Sequence, residues 1–510
     1  MTEQRIGIID IGSNSIRLAV YERTANGAHR VIDGGKRPAR LSGEIDEQGR
    51  IRSEKIDELI GILNHYRLIC AHHRTGRIRA VATAAIRNAT NRDEVVERLL
   101  NETGLAVEVL SGEEEARFGY LGMINTIDIR EGFLIDIGGG STEISLFRDR
   151  TLVQSVSFPF GCVNMTRAFQ DDSGMLADDD LSVLEHAISK ALDQEPWLSW
   201  TPGLPLIGVG GTVRALGKLD QAATRYAFPL THNYAISSSN ADAIFDQLRT
   251  MPLDKRRKVP GLSKDRADVI VIGMAILRVI YRKLRSTHYL ICGAGLRDGL
   301  FFDTRFTNQS RLDDVLGYSV RNLSLLHPEA PQPHLMQVNR LSMQLYESLK
   351  KQASLPARTE VWLDAASSLF RIGASIDYLQ YAKHTFYLIV NSNLNGLTHR
   401  EIVLIAAIAS FKSKSRFRQQ VAEYRELLDE ADIEIVAQLG MLLQLAVALD
   451  RSETQSIGRL AISVSQGTLK LDALTCSGPL DVERAEVDEL SKDFRKIWQL
   501  TPILHSPYIV

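Results

Sequence analysis

Two stretches of the chain set an aspartate against glycine and hydroxyl groups in the same order. Asp10 closes the first apolar run of IIDIGSNSIRLAVY, which begins at Ile8, and Ile-Gly-Ser-Asn-Ser follows it. Asp136 closes the run of LIDIGGGSTEISLF, which begins at Leu134, and Ile-Gly-Gly-Gly-Ser-Thr follows it. An aspartate at the C-terminal end of a strand, beside a glycine turn, places a carboxylate next to exposed backbone N–H groups. The N–H groups attract phosphate oxygens and the carboxylate attracts a hard cation. A single copy is as readily an ordinary hairpin. Two copies imply two jaws with one phosphate grip. Gly12, Ser13, Asn14 and Ser15 stand on one side. Gly138, Gly139, Gly140, Ser141 and Thr142 stand on the other. If a pseudo-twofold relates them, Asp10 and Asp136 face each other across a divalent metal and a phosphate chain.

Two further glycine turns follow strand patterns. LIGVGGTVRAL brings Gly210, Gly211 and Thr212 to the start of a helix, where backbone N–H groups bind anions. LICGAGLRDGLFF brings Gly293, Ala294 and Gly295 to another helix start, with Arg297 close by. Either turn alone reads equally as a tight connection without a ligand. Arg87, in ATAAIRNATN, either clamps a phosphate through its two-pronged guanidinium or is a solvated loop arginine. In SGEEEARFGYLG, Ser111 and Glu114 have capping-box spacing, which gives Glu114 a structural task. Glu115 lies one residue, about 100°, further around the helix. It either complements the helix dipole or acts as a general base that activates water in line with a terminal phosphate.

The elements that hold these residues follow from periodicity. A strand ends at Asp10, the chain turns through Gly12–Asn14, and a second strand runs from Ser15 to Tyr21, with a third near His29–Ile32. Ile56, Leu59, Ile60, Leu63 and Tyr66 have helical spacing behind Ser53 as N-cap. Strands are expected near Ile78–Thr83 and Val107–Leu110. A second segment restarts at Phe133, repeats the hairpin, and adds a helix near Ser182–Leu192 and a strand at Leu206–Val209. The same order given twice implies two related α/β domains facing one another. Amphipathic helices dominate from Leu312 to Leu449. RLAISVSQGTLKLDAL then returns to strand alternation, with a hairpin at Gln466-Gly467, and a helical pattern closes the chain. The expected domains are residues 1–124, 125–306, 307–452 and 453–510, the last a small α+β domain.

A chain of 510 residues exceeds a single core. Its apolar content of 44% and charged content of 24% are those of a globular protein. The formal net charge of -2 offers no global attraction to nucleic acid or membrane, and neither is expected as a partner. Positive charge is local: Lys255, Arg256, Arg257 and Lys258 with Lys264 and Arg266 beyond, and Lys412, Lys414, Arg416 and Arg418. Such runs are usually solvated faces, unless the substrate is a long polyanion that they line. Four scattered cysteines form no CxxC pair, which points to a reducing compartment. The N-terminus lacks the pattern of a signal peptide, and VIVIGMAILRVIY is broken by Arg278 and too short to span a bilayer. A cytoplasmic location is expected.

Seven pieces in order, IDIGSNSIRL, ATAAIRNATN, SGEEEARFGYLG, IDIGGGSTEISLF, GVGGTVRAL, GLSKDRADVIVIG and CGAGLRDGL, resemble the exopolyphosphatase / guanosine pentaphosphate phosphohydrolase family over nearly the whole chain. The resemblance implies two actin-like (ribonuclease H-like) α/β domains of the acetate-kinase/sugar-kinase/heat-shock/actin type. It implies processive, Mg²⁺-dependent removal of terminal phosphate from inorganic polyphosphate, and a homodimer. It places the family's catalytic glutamate on Glu115, its metal-associated aspartate on Asp136 and its N-terminal loop aspartate on Asp10. The helical region resembles an HD-type domain, but AASSLFRIG carries Phe370 and Arg371 where the His-Asp metal pair would stand. The later histidine is absent from IASFKSK. His334 and His384 alone do not make a metal site, so no second hydrolytic centre is expected there. Beside exopolyphosphatase stand three other readings: hydrolysis of guanosine pentaphosphate, an ATP-binding actin-like module, and a non-catalytic polyphosphate sensor.

Overall fold

The apolar run before each aspartate folds as a strand with near-continuous burial, as strands with a parallel neighbour require. The structure, a computed structural model, describes residues 5–41, 45–170, 174–306 and 310–506. The chain divides into two compact units, Met1–Ala25 with His29–Val315, and Asn26–Ala28 with Leu316–Val510. The domain boundary expected at 306/307 adjoins residues 307–309, which lie outside the described residues.

In the first unit, β1 (Arg5–Ile11), β2 (Ser15–Arg23) and β3 (His29–Pro38) form an antiparallel meander. α1 (Ser53–His72) returns the chain so that β4 (Arg77–Ala82) lies parallel to β1. A parallel neighbour cannot be reached through a tight turn and needs such a crossover. Ser53 is the first residue of α1 rather than its cap; Arg52 holds that position without a side-chain bond. α2 (Ala84–Arg87) and α3 (Arg92–Thr103) lead to β5 (Val107–Val109), parallel to β4, and α4 (Gly112–Ile124) follows. The plan then repeats. β6 (Gly132–Ile137), β7 (Thr142–Arg148) and β8 (Thr151–Phe158) form the meander, followed by α5 (Cys162–Phe169) and α6 (Asp178–Leu192). β9 (Leu206–Val209) lies parallel to β6, and α7 (Gly210–Thr224) follows it. β10 (Tyr234–Ile236), α8 (Ser238–Arg249), α9 (Leu253–Arg256) and α10 (Ile270–Leu284) precede β11 (Tyr289–Ile291), which is parallel to β9, and α11 (Leu296–Arg305).

The sheet orders are β3-β2-β1-β4-β5 and β10-β11-β9-β6-β7-β8. Read from β8, the second sheet repeats the first and adds β10 at its edge. Ile9, Leu18 and Val20 pack with Leu59, Leu63 and Tyr66 of α1 in one core. Phe133, Ile135 and Leu206 pack with Leu216, Ile272 and Ile276 in the other. α4 and α11 cross in direct backbone contact. A Cβ at Gly122 would lie 2.3 Å from the Gly295 carbonyl oxygen, and one at Gly299 would lie 1.8 Å from that of Phe118.

The second unit is mainly helical: α12 (Val315–Leu326), α13 (Gln332–Leu349), α14 (Arg358–Leu369), α15 (Tyr381–Asn391), α16 (His399–Ala409), α17 (Lys414–Gln420) and α18 (Glu430–Ala448). α18 is long and apolar enough to cross a membrane but is packed against α13, α14, α16 and the later α19 (Asp481–Trp498) as a core helix. β12 (Ile457–Ser465) and β13 (Thr468–Cys476) are joined by Gln466 and Gly467, both at positive φ, as a two-residue hairpin demands. α19 then leads to β14 (Thr501–His505), a parallel partner of β13 that periodicity does not anticipate. His334 Nδ1 and Asp450 Oδ2 are 2.8 Å apart and buried, with the ring of Phe370 against the imidazole. Arg371 pairs with Glu453 at 2.7 Å. Among the described residues no three His, Cys, Asp or Glu side chains converge on a metal position.

A methyl group at the α4–α11 crossing has no room. Gly299→Ala is expected to lower the unfolding free energy by about 1–3 kcal/mol, measured by denaturant titration. An unchanged midpoint would show that the helices are free to separate.

Candidate active site

Both aspartate turns close in the same way. The Gly12 N–H donates to the Ser15 carbonyl at 3.2 Å, and the Gly138 N–H donates to the Ser141 carbonyl at 2.9 Å. The turns also meet: a Cβ at Gly139 would lie 2.9 Å from the Ser13 Cβ and 3.5 Å from the Asn14 nitrogen. Asp10 and Asp136, each one residue before its strand ends, open into one cavity of about 110 Å³ lined by Gly12, Ser13, Asn14, Ser15, Gly138, Gly139 and Ser141. Gly210 and Gly211, after β9, complete it from a third side. Gly210 has φ +83, and a Cβ there would sit 2.4 Å from Asp136 Oδ1, so no other residue fits. The cavity thus lies at the carboxyl ends of β1, β6 and β9, where open α/β sheets bind ligands.

The strand registers extend each aspartate into a row on one face of its sheet. In the first sheet Asp10 is opposite Arg17, and Arg17 is opposite Lys36. In the second, Asp136 is opposite Glu143, and Glu143 is opposite Ser157. Directly opposed residues share a face. One row therefore runs from acid to base to base, and the other from acid to acid to hydroxyl. Glu143 is buried, and its Oε1 accepts the Ser157 hydroxyl at 2.7 Å. Burial raises its proton affinity well above the usual carboxylate range, and Glu115 and Asp136 add to the rise.

Glu115 approaches from α4. Ser111 Oγ accepts the Glu114 N–H at 3.1 Å and the Glu114 carboxylate accepts the Ser111 N–H at 2.8 Å, so the capping box forms and holds Glu114 outward. Glu115 turns inward and lines the cavity. Burial pushes its pKa up to about 7, against a hydrogen bond from Arg87 and with a smaller upward push from Asp136 and Asp10. The Arg87 Nη1 donates to Glu115 Oε2 at 2.8 Å and to the Leu110 carbonyl at 3.0 Å.

Four arginines line the cavity: Arg17, Arg214, Arg266 and Arg297. They continue into an outer pocket of about 380 Å³ with Lys36 and Lys218, where Asp265 is the single lining carboxylate among the described residues. Burial, then Arg17, Arg297 and Arg266, push the Arg214 pKa down to about 10. Arg214 is held by the Gly293 carbonyl at 3.0 Å, and Arg297 reaches the Leu18 carbonyl at 3.3 Å. Burial also raises Asp10 and Asp136, opposed by arginines.

Most of the expected residues converge, and four do not. Arg87 is not in the cavity lining; its Nη1 bonds Glu115 and the Leu110 carbonyl, which sets it beside the glutamate. Thr142 is fully buried, its hydroxyl donating to the Phe160 carbonyl at 2.7 Å. Thr212 is buried against Gly273, and Gly140 faces Asn164. Glu143 and the arginine set were missed or only grazed by sequence reasoning. Strand register against Asp10 and Asp136 would have found Arg17 and Glu143.

Two sheets of one topology, joined through crossed helices and with matching glycine turns at their strand ends, are the actin-like frame. The Ppx/GppA phosphatase family matches residues 20–307 and the Ppx/GppA phosphatase domain III matches residues 326–493; the chain belongs to the Ppx/GppA phosphatase family. It is 27% identical over 489 residues to the guanosine-5'-triphosphate,3'-diphosphate pyrophosphatase of Vibrio parahaemolyticus, covering 94% of either chain. Among solved structures, the Aquifex aeolicus family member is 28% identical, with TM-score 0.53 over 60% of this chain and 99% of that one. An exopolyphosphatase from Cytophaga hutchinsonii shares the fold at 23% identity, with TM-score 0.55 over 61% of this chain and 100% of that one.

The raised Glu115 pKa has a consequence for stability. The folded value of about 7 exceeds the ordinary 4.5. The neutral carboxyl therefore favours folding fully below the ordinary value, and this contribution is lost as pH rises through 7. Glu115→Gln, which does not titrate, is expected to gain on the order of 1–3 kcal/mol over the wild type between pH 5 and pH 8 in chelator. Parallel denaturation curves at both pH values would contradict the burial of this carboxylate.

Proposed function

We propose that the protein is an exopolyphosphatase: it hydrolyses the terminal phosphoryl group from inorganic polyphosphate with water activated by Glu115. The observation that carries this reading is the set of six Lys and Arg side chains that runs from the inner cavity to the outer pocket, with no aromatic ring among the described lining residues. In the outer pocket these cations outnumber the carboxylates, which suits a polyanion.

In this reading the terminal phosphate sits between the two aspartate turns. Their backbone N–H groups and the Ser13, Ser15 and Ser141 hydroxyls hold its oxygens. Glu115, oriented by Arg87, takes a proton from water directed at phosphorus, and the phosphate chain leaves past Arg17 and Arg214 toward Lys36 and Lys218. Catalysis of this kind is mainly positioning and charge neutralisation. Asp10 and Asp136 open into the cavity, and neither accepts a hydrogen bond from a described residue. That donor set suits Mg²⁺, which binds through one or two carboxylates plus substrate phosphates. Bound there, Mg²⁺ would supply charge neutralisation at the anhydride oxygens.

A second reading, hydrolysis of guanosine pentaphosphate to the tetraphosphate, is favoured by the likeness to the guanosine-5'-triphosphate,3'-diphosphate pyrophosphatase of Vibrio parahaemolyticus, which matches nearly end to end. The outer pocket would then receive the guanosine. The deciding experiment compares turnover of long-chain polyphosphate, guanosine pentaphosphate and ATP with Mg²⁺. Preference for polyphosphate, with affinity that falls as salt rises, supports the first reading. Turnover of guanosine pentaphosphate alone supports the second, and ATP alone would defeat both. Glu115→Gln is expected to lower turnover by a factor on the order of 10²–10⁴ while retaining phosphate binding.

A further inference from the structure

The outer pocket carries one feature that a simple polyanion channel would lack. Asp265 stands among its cations, and its carboxylate accepts a hydrogen bond from Lys36. Lys36 belongs to β3 of the first sheet, at the outer end of the row from Asp10 through Arg17. Asp265 belongs to the segment before α10, in the other half of the unit. A second pair repeats the bridge nearby: Arg40 Nη2 meets Asp268 Oδ2 at 3.0 Å. Two ion pairs of the same polarity therefore tie the halves together, the first of them at the outer pocket. Lys36 and Ser263 hold the Asp265 carboxyl down to about 2, so it stays charged at any working pH.

We propose that Asp265 is a chain-length selector, occupying Lys36 until a polyphosphate long enough to leave the inner cavity takes Lys36 in its place. The inference rests on the polyphosphate reading above. Three observations support it. Lys36 lies in line with the residues that would conduct the chain outward. Lys36 and Asp265 are 41% and 38% exposed, and a solvated ion pair of this kind is worth only about 0–1 kcal/mol, weak enough to be exchanged. Among the described residues lining the outer pocket Asp265 is the one carboxylate, and it competes with an incoming anion for Lys36. A chain that ends within the inner cavity meets neither partner. A longer one must displace Asp265 to gain Lys36.

The test measures kcat/KM for tripolyphosphate and for long-chain polyphosphate in wild type, Asp265→Asn, Lys36→Met and the double variant. Asp265→Asn is expected to raise the long-to-short ratio about three- to tenfold, through KM. Lys36→Met should lower it by a similar factor, and in that background Asp265→Asn should lose most of its effect. An equal change for both lengths, or an effect of Asp265→Asn that survives in Lys36→Met, would overturn the selector. Equilibrium binding of long-chain polyphosphate to the same proteins separates this idea from the proposed function. Tighter binding by Asp265→Asn without hydrolysis by the wild type removes polyphosphate as the substrate and keeps the selector. Hydrolysis with unchanged ratio and binding removes the selector alone, whereas failure of the wild type and every variant to bind removes both readings.

Discussion

The structure depends on holding like charges together, away from water, in one cleft. Arg17, Arg214, Arg266 and Arg297 share a cavity with Asp10, Asp136 and Glu115. Burial penalises every one of these charges. Its mark is visible on each side: Arg214 is pushed down, and Asp10, Asp136 and Glu115 are pushed up. Such an arrangement persists only if the backbone around it cannot relax. The glycine-to-carbonyl contacts between α4 and α11 supply that rigidity, because both helices begin at the cavity, one with Glu115 in its first turn and the other with Arg297.

Duplication built the frame, and divergence gave it direction. The two meanders close their turns with the same hydrogen bond and place their aspartates at equivalent positions. What differs is the residue opposite each aspartate, arginine in one sheet and glutamate in the other. The glutamate row lies beside Glu115, and burial with Glu115 and Asp136 raises the proton affinity of Glu143. The arginine row carries positive charge to the outer pocket. The two jaws are alike in backbone and unlike in charge.

The second unit illustrates how a polar pair survives in a packed core. His334 Nδ1 and Asp450 pair at 2.8 Å, while the His334 Nε2 is buried without a hydrogen-bond partner among the described residues. The neighbouring Phe370 is buried, and Arg371 turns to Glu453. α18 shows the same logic on a larger scale: a helix apolar nearly all round is a core helix when other helices surround it.

Local chemistry was legible in the sequence. Turns that need glycine, strands that alternate or stay apolar, the Ser111–Glu114 capping box and the Gln466-Gly467 hairpin depend on residues a few positions apart, so spacing alone specifies them. The same box freed Glu115 from capping, but its inward aim was decided by the fold. The tertiary structure alone decided which side chains meet across the cleft. Arg87 met Glu115, Thr142 and Thr212 were buried, and Arg214, Arg266 and Arg297 joined Arg17 at the cavity. The pairing of Arg17 and Glu143 with the aspartates was within reach of hairpin register, but the rest depends on the packing of segments tens to hundreds of residues apart. A side chain's neighbours across such distances are set by the whole fold.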